Sequence, residues 1–346
     1  MRVDLHLHTR ESAGPPQYWL AGLLGVHECY SSPEDVLAEA MRKGMDAIAI
    51  TNHDAAQHSL RMAREHPDRV IPGCEYKVYG GVGRYADVVV LGIDEKAHTV
   101  LLRERHRGVE RFSRAARDLG LIAILAHPAW EVSEDKRGID PRILCQWLEC
   151  FDIVEGKNAN CPAESKVASA AARYFGKALV GGSDAHDVPS VGMAWTEADA
   201  ETIPEFLECL RRGEVTPGGG STDPSKFAAT SREVLGAFYR RELMKLARGG
   251  SLRGFVSGSS FVEMMRMIAQ ALILPGLLWI PQIKTRAYLA TLEDRAARLR
   301  TKLIDHLSLE LASDLAIEDI PAGKRRERFI ARTRSLLAAF APDGGA

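Results

Sequence analysis

Through its first two thirds the chain alternates between short apolar runs and stretches with helical periodicity. The runs fall at about 2–6, 46–51, 69–74, 87–92, 121–126, 151–155 and 178–182. Helical patterns lie between most of them, at Pro33–Lys43, His98–Leu119, Pro141–Leu148 and Pro162–Phe175. Strands covered on both faces read as near-continuous apolar runs, and helices between them act as crossovers. Seven such strands predict an α/β fold, a distorted (β/α)7 barrel. Local punctuation agrees. Ser31-Ser32 caps a helix that takes Pro33 in its first turn, and Gly44 and Gly120 stand where helices stop. Tyr76–Ala86, with Gly80-Gly81-Val82-Gly83, instead predicts a hairpin.

The pattern changes after Arg212-Gly213. Residues 216–225, TPGGGSTDPS, read as a linker, and helical periodicity dominates beyond it. Leu289, Leu292, Ala296, Leu299, Leu303, Leu307 and Leu311 form one stripe within 285–316, and 324–340 is a second, basic amphipathic stretch. The expected organisation is a barrel over 1–218 and an all-helical region over 219–346. The latter would serve as a lid, a dimer contact or a membrane-surface contact. Met264–Ile283 is nearly as long as a span of ~20 residues, but Arg266, Gln270 and Pro275-Gly276 interrupt it. It reads better as a buried helix pair, a homodimer contact or an interfacial patch through Ile273, Leu274, Leu277, Leu278 and Trp279.

Net charge is −1, but it is uneven: residues 219–346 carry 20 Lys+Arg against 13 Asp+Glu, which leaves the first part acidic. An acidic barrel without a basic-aromatic pattern suits cations better than long nucleic acid. The six cysteines are scattered without a CxxC pair, which predicts reduced thiols and a cytoplasmic protein. The first motif begins almost at Met1, leaving no room for a leader.

In a βα barrel, functional groups gather at the carboxyl ends of the strands. Strand one of this chain ends in His6 and His8, which share a face at i and i+2. Strand two ends in Thr51-Asn52-His53-Asp54, strand three in Gly73-Cys74-Glu75 and strand five in Ala126-His127-Pro128. Strand seven runs into Gly182-Ser183-Asp184-Ala185-His186. Imidazole nitrogens mixed with carboxylates suit zinc, iron or manganese. Neighbouring cations also need a bridging carboxylate, for which Glu75 and Asp184 are the candidates.

The motifs DLHLHT (4–9), TNHD (51–54), GCE (73–75), AHP (126–128) and GSDAH (182–186) resemble, in order and wording, the polymerase and histidinol phosphatase (PHP) family over roughly residues 1–215. The resemblance implies a phosphoesterase with two or three divalent ions (Mn, Fe or Zn). By position, His6, His8, Glu75 and Asp184 would hold the first. Glu75, a strand-four residue and His127 would hold the second, and His53 and His186 with one further ligand the third. The chain departs from the family twice. Where relatives read SDG, Ala13 replaces a ligand, with Glu11 or His27 as possible substitutes. Asp87 stands where relatives usually carry the strand-four histidine. The insertion at 14–32, with Pro15, Pro16, Tyr18 and Trp19, would overhang the site.

The expected nucleophile is a hydroxide generated at the metals, with Asp54 as candidate acid and Arg10 and Lys157 as candidate phosphate binders. Asp4 is expected to orient an imidazole, and His58, His66, His98, His106 and His306 to lie at the surface. A phosphatase acting on a small phosphorylated metabolite is the leading reading. A phosphodiesterase or exonuclease on nucleotides or short oligonucleotides is the first alternative. A catalytically reduced scaffold, suggested by Ala13, is the second.

Overall fold

The computed structural model describes residues 1–12, 27–81, 83–133, 138–221, 236, 240, 280–317 and 322–341. Ala13, the rest of the insertion up to residue 26 and the apolar segment 264–279 lie outside the described residues, as does 222–225 of the linker stretch. The first strands and helices are β1 (Arg2–Leu7), α1 (Pro33–Arg42), β2 (Ala47–Ile50), α2 (Gln57–Glu65), β3 (Val70–Gly81) and β4 (Arg84–Leu91). Then come α3 (Glu95–Glu104), α4 (Val109–Asp118), β5 (Ile122–Leu125), α5 (Pro128–Ser133), α6 (Pro141–Cys150), β6 (Ile153–Asn158), α7 (Pro162–Tyr174) and β7 (Ala178–Gly182). The rest are β8 (Ala194–Glu197), α8 (Ile203–Arg212), β9 (Thr216–Gly219), α9 (Ile280–Ile317) and α10 (Ala322–Ala339).

One mixed sheet runs in the order β7-β6-β5-β4-β3-β2-β1-β8-β9. It curls back on itself where β1 meets the end of β7: Leu7 bridges Ala185, and the amide of Asp184 donates to His6 O at 2.7 Å. The result is a distorted βα barrel with added helices. β1–β2–β3 and β5–β6–β7 pair in parallel, whereas β4 runs antiparallel to both neighbours. The reversal follows from the short link between β3 and β4, since a tight turn can only join antiparallel strands. Gly81 and Gly83 supply the positive φ, 90° and 70°, that this turn demands. The expected hairpin is therefore present, and it sets β4 antiparallel within an otherwise largely parallel barrel.

Two further differences have local causes. The helix expected over 98–119 breaks at Gly108, φ 106°, into α3 and α4. Residues 216–219 of the expected linker form β9, with Gly219 opposite Ala194 of β8. A side chain at Gly219 would meet Met193 O at 2.4 Å, so the glycine-rich composition reflects close backbone approach as well as a turn.

Three apolar layers hold the elements together. Val3, Leu5, Ala49, Ile71, Leu91, Ile124, Ile153 and Val180 fill the barrel interior, closed below by Phe206 and Leu210 of α8. Leu7, Ile48 and Ile50 pack outward on Val36, Leu37 and Ala40 of α1. The largest layer joins the outer faces of β3–β6 to α4, α6, α7, α9 and α10. There Leu299, Leu303 and Leu307 of α9 pack in one cluster with Leu144, Trp147 and Ala171. The leucine stripe, from Leu292 to Leu311, is thus core against the barrel's own helices. All six cysteines are free thiols. Among the described residues no helix is long and apolar enough to cross a membrane.

Leu303 is fully buried. Leu303→Ala is therefore expected to lower the unfolding free energy by about 2–5 kcal/mol, measured by denaturant titration.

Candidate metal centre

The site forms at the rim where β1, β2, β5 and β7 end and where β3 carries Glu75 past them. A bulge between Asp4 and Leu7 interrupts the pairing of β1. Leu5 joins the interior cluster, while His6 and His8 bring their Nε2 atoms to 3.2 Å from each other. Bulges commonly re-aim side chains beside functional sites. Asp54, His127 and Asp184, each just past a strand end, adopt positive φ of 53°, 23° and 52°. Non-glycine residues hold such backbone only where the surroundings enforce it, and such strain clusters at functional sites. Gly182 gives the closest backbone approach, because a Cβ there would stand 2.5 Å from the His6 Cβ.

Glu75 is the centre. It is fully buried, and its Oε2 lies 3.3 Å from His6 Nε2, 3.4 Å from His8 Nε2 and 3.0 Å from His53 Nδ1. Its Oε1 lies 3.2 Å from His127 Nε2. Asp184 Oδ1 adds contacts to His8 Nε2 at 3.2 Å and His6 Nε2 at 3.5 Å. His53 Nε2 meets Glu28 Oε1 at 3.4 Å.

Partners behind the rings set their tautomers. His6 Nδ1 meets Glu155 Oε1 at 2.9 Å. The Ser12 hydroxyl donates to Glu28 at 2.7 Å, so it must accept from His8 Nδ1, 3.2 Å away. His186 Nδ1 donates to Asp184 O at 2.9 Å. In each ring a proton on Nδ1 leaves the Nε2 lone pair free, and these are the second partners that metal-ligating histidines keep. Glu155 Oε2 is itself held by the His127 amide at 2.9 Å and by Asn158 Nδ2 at 3.0 Å.

The charges show what this arrangement demands. Burial alone would push His6 down, but Glu75, Glu155 and Asp184 hold it well above its ordinary value. His53 and His127 are carried against burial to about 10, chiefly by Glu75. His8 is lowered to about 4 by burial and by the neighbouring His186. Burial works to raise Glu75 and Asp184, yet the imidazoles hold both far below the usual carboxylate range. Buried carboxylates at this density require positive charge at their centre, from protons on the rings or from cations.

The eight residues expected as ligands, His6, His8, His53, Glu75, Asp87, His127, Asp184 and His186, all enter groups whose donor atoms lie within 4.8 Å of one another. The groups are His6–His8–Asp184, His6–Glu75–His127, His8–Glu28–His53–His186 and Asp87–His127–Glu131. This nitrogen–oxygen mixture fits divalent cations. Asp87 reaches the rim from within the first half of β4, because that strand is reversed.

Ala13 lies outside the described residues, and the acid that joins His8, His53 and His186 in one donor group is Glu28, neither Glu11 nor His27. Glu11 is occupied with the His58 amide at 2.7 Å and Asn52 Nδ2 at 3.0 Å. His27 is exposed. Asp4 orients backbone rather than an imidazole: it accepts from the amides of Ser183 and Gly192, both at 2.9 Å. Asp54 is bound to Arg105 in an ion pair instead of aiming at the cluster. Arg10 is exposed and Lys157 half-buried. Neither is joined to the cluster by a hydrogen bond or ion pair among the described residues. His58 and His98 are no plain surface residues, for they bond Thr9 Oγ1 at 2.9 Å and Tyr76 Oη at 2.7 Å.

Glu28, Glu131 and Glu155 escaped the sequence reading. Glu155 had a readable signal, an acid inside the apolar end of strand six. Glu131 stands one helical turn beyond His127. Glu28 comes from an insertion whose path no periodicity encodes.

The fold and site together define a βα barrel with clustered donor groups that could hold divalent metal ions. Residues 163–215, from α7 through Asp184 and His186 to α8, match the family model described as PHP-associated. That match falls within the stretch that carries the last of the five ordered motifs. Among solved structures, the chain is similar to PsfC from Pseudomonas syringae PB-5123, at 18% identity over 70% of this chain and 98% of that one, TM-score 0.45. It is also similar to a two-domain protein from Bacteroides vulgatus containing a predicted PHP-like metal-dependent phosphoesterase, at 14% identity over 66% and 68% of the two chains, TM-score 0.47. A third is an amidohydrolase from Chromobacterium violaceum with bound sulfate and no metal, at 18% identity over 62% and 98%, TM-score 0.41. No curated protein matches the sequence.

Glu28→Ala is expected to reduce bound divalent metal by about one equivalent per chain, read by elemental analysis after desalting. Glu155→Gln keeps all ligands but removes the charge behind His6. Calorimetric titration is expected to show metal affinity weakened by about 10- to 100-fold.

Proposed function

We propose that the protein is a metal-dependent hydrolase of phosphate esters, acting as a phosphatase on a small phosphorylated metabolite. The observation that carries this reading is the single buried carboxylate of Glu75 facing four imidazoles, with Asp184 and Glu28 completing the surround. His6, His8, Glu75 and Asp184 would hold one ion, and His53, His186 and Glu28 another. Bound divalent ions supply Lewis acidity toward a phosphoryl oxygen and lower the pKa of water. The protein's own part is positional. Glu155 and Ser12 keep the His6 and His8 rings turned so that their Nε2 atoms face inward. Arg10 and Lys157, near the rim, are free to meet the phosphate. Lys77 adds a third cation there: it lies two residues beyond Glu75 on β3, with its Nζ 3.9 Å from Asp87 Oδ1. Because Asp54 is tied to Arg105, its role is to hold that turn rather than to donate a proton.

Glu28 supports catalysis over the scaffold reading, since it provides the donor whose loss at Ala13 suggested reduced function. Monoester and diester substrates are separated by assay. Manganese-loaded protein is expected to release p-nitrophenol from p-nitrophenyl phosphate faster than from bis(p-nitrophenyl) phosphate. His8→Ala and Asp184→Ala should each lower that rate by about 100-fold or more. A faster bis-ester reaction would reassign the protein as a phosphodiesterase. Turnover unchanged in both variants would sink the hydrolytic reading.

A further inference from the structure

The group formed by Asp87, His127 and Glu131 differs chemically from its neighbours. His8, Glu28, His53 and His186 offer three nitrogens and one oxygen, and His6, His8 and Asp184 two nitrogens and one oxygen. Here two of the three donors are carboxylate oxygens, and one of them, Glu131, belongs to no motif. β4 brings in Asp87, the end of β5 brings in His127, and the first turns of α5 bring in Glu131.

Two of these side chains carry unmet polar atoms. Asp87 Oδ1 and His127 Nδ1 are buried with no hydrogen-bond partner among the described residues. Their side chains are only 5% and 10% exposed. Polar atoms buried this deeply almost always have a partner, so a pair of them in one cluster points to a ligand. The adjacent cation is Lys77, whose Nζ stands 3.9 Å from Asp87 Oδ1, beyond hydrogen-bonding distance. Its side chain is 52% exposed.

The geometry points to a second kind of cation site in this centre, in which Asp87, His127 and Glu131 hold an oxygen-preferring divalent ion such as Mn2+ while the imidazole-rich groups hold Zn2+ or Fe2+. Carboxylate ligands suit manganese and magnesium, and imidazole suits zinc and iron. Selectivity then arises from ligand type within one centre, and Glu131 is the ligand that tips the second site toward the harder ion. The inference rests on the metal-centre reading but not on the identity of the substrate, and its test reads metals rather than turnover.

Full-length protein is stripped with a chelator, then given about two equivalents of zinc per chain and manganese in excess, and desalted. Elemental analysis is expected to find both metals retained. Anomalous difference maps at the manganese edge should place that ion between Asp87, His127 and Glu131. Glu131→Gln should lose the manganese and keep the zinc. Glu131→His, which exchanges a carboxylate for an imidazole, should lower the retained Mn:Zn ratio by about tenfold or more. A manganese peak elsewhere, or an unchanged Mn:Zn ratio in both variants, overturns the inference while leaving the metal centre intact. Wild-type protein that retains neither metal overturns both. The wild-type maps decide the question even if a variant fails to fold.

Discussion

The Glu75 carboxylate is the contact on which the rest of the site depends. It is fully buried, yet it meets imidazoles from the ends of β1, β2 and β5. A lone carboxylate at that depth is costly, so the fold must bring positive charge to it. Those imidazoles come from three different strands, His6 and His8 both from β1. The site can therefore form only once the barrel has closed and β1 lies beside the end of β7. In that sense the chemistry is a consequence of topology: the charge balance around Glu75 is satisfied by the closed sheet and by no local segment of it.

Closure in turn explains the strained backbone. His127 and Asp184 must turn sharply off their strands to aim inward, and both do so at positive φ. Their cost is met by the surrounding bonds, including the Asp184 amide on His6 O and the His127 amide on Glu155. Glu155 links the two effects. One of its oxygens steers the His6 ring, and the other fixes the backbone that aims His127. A single buried acid thus orients donors from two strands at once.

The strand-end motifs were legible because a parallel βα barrel converts chain order into spatial order, so that residues at successive strand ends become neighbours. His6, His8, His53, Glu75, His127, Asp184 and His186 all follow that rule. Asp87 could be found by its place in a motif, but its route to the rim could not. It sits within β4, opposite Lys77, and it reaches the site only because the glycine turn at 81–83 reverses that strand. The leucine stripe of α9 was equally clear as a buried face. Its partner was not, since amphipathicity records that a face is covered and not by what. The structure answers with the barrel's own α6 and α7.

Glu28 shows where reading by position stops. A cation requires a donor at a point in space and is indifferent to the route by which the chain delivers it. Loss of a ligand at Ala13 can therefore be repaired by any acid that a neighbouring loop brings within reach. Glu28 is held there by the Ser12 hydroxyl, which also accepts from the His8 ring and so couples the Glu28 carboxylate to that imidazole, and by His53 Nε2 at 3.4 Å. The same logic applies to Glu131, delivered by the first turns of α5 rather than by a strand. What the buried Glu75 requires is an arrangement of donors and positive charge around it, and that requirement does not fix the position in the chain from which each donor comes.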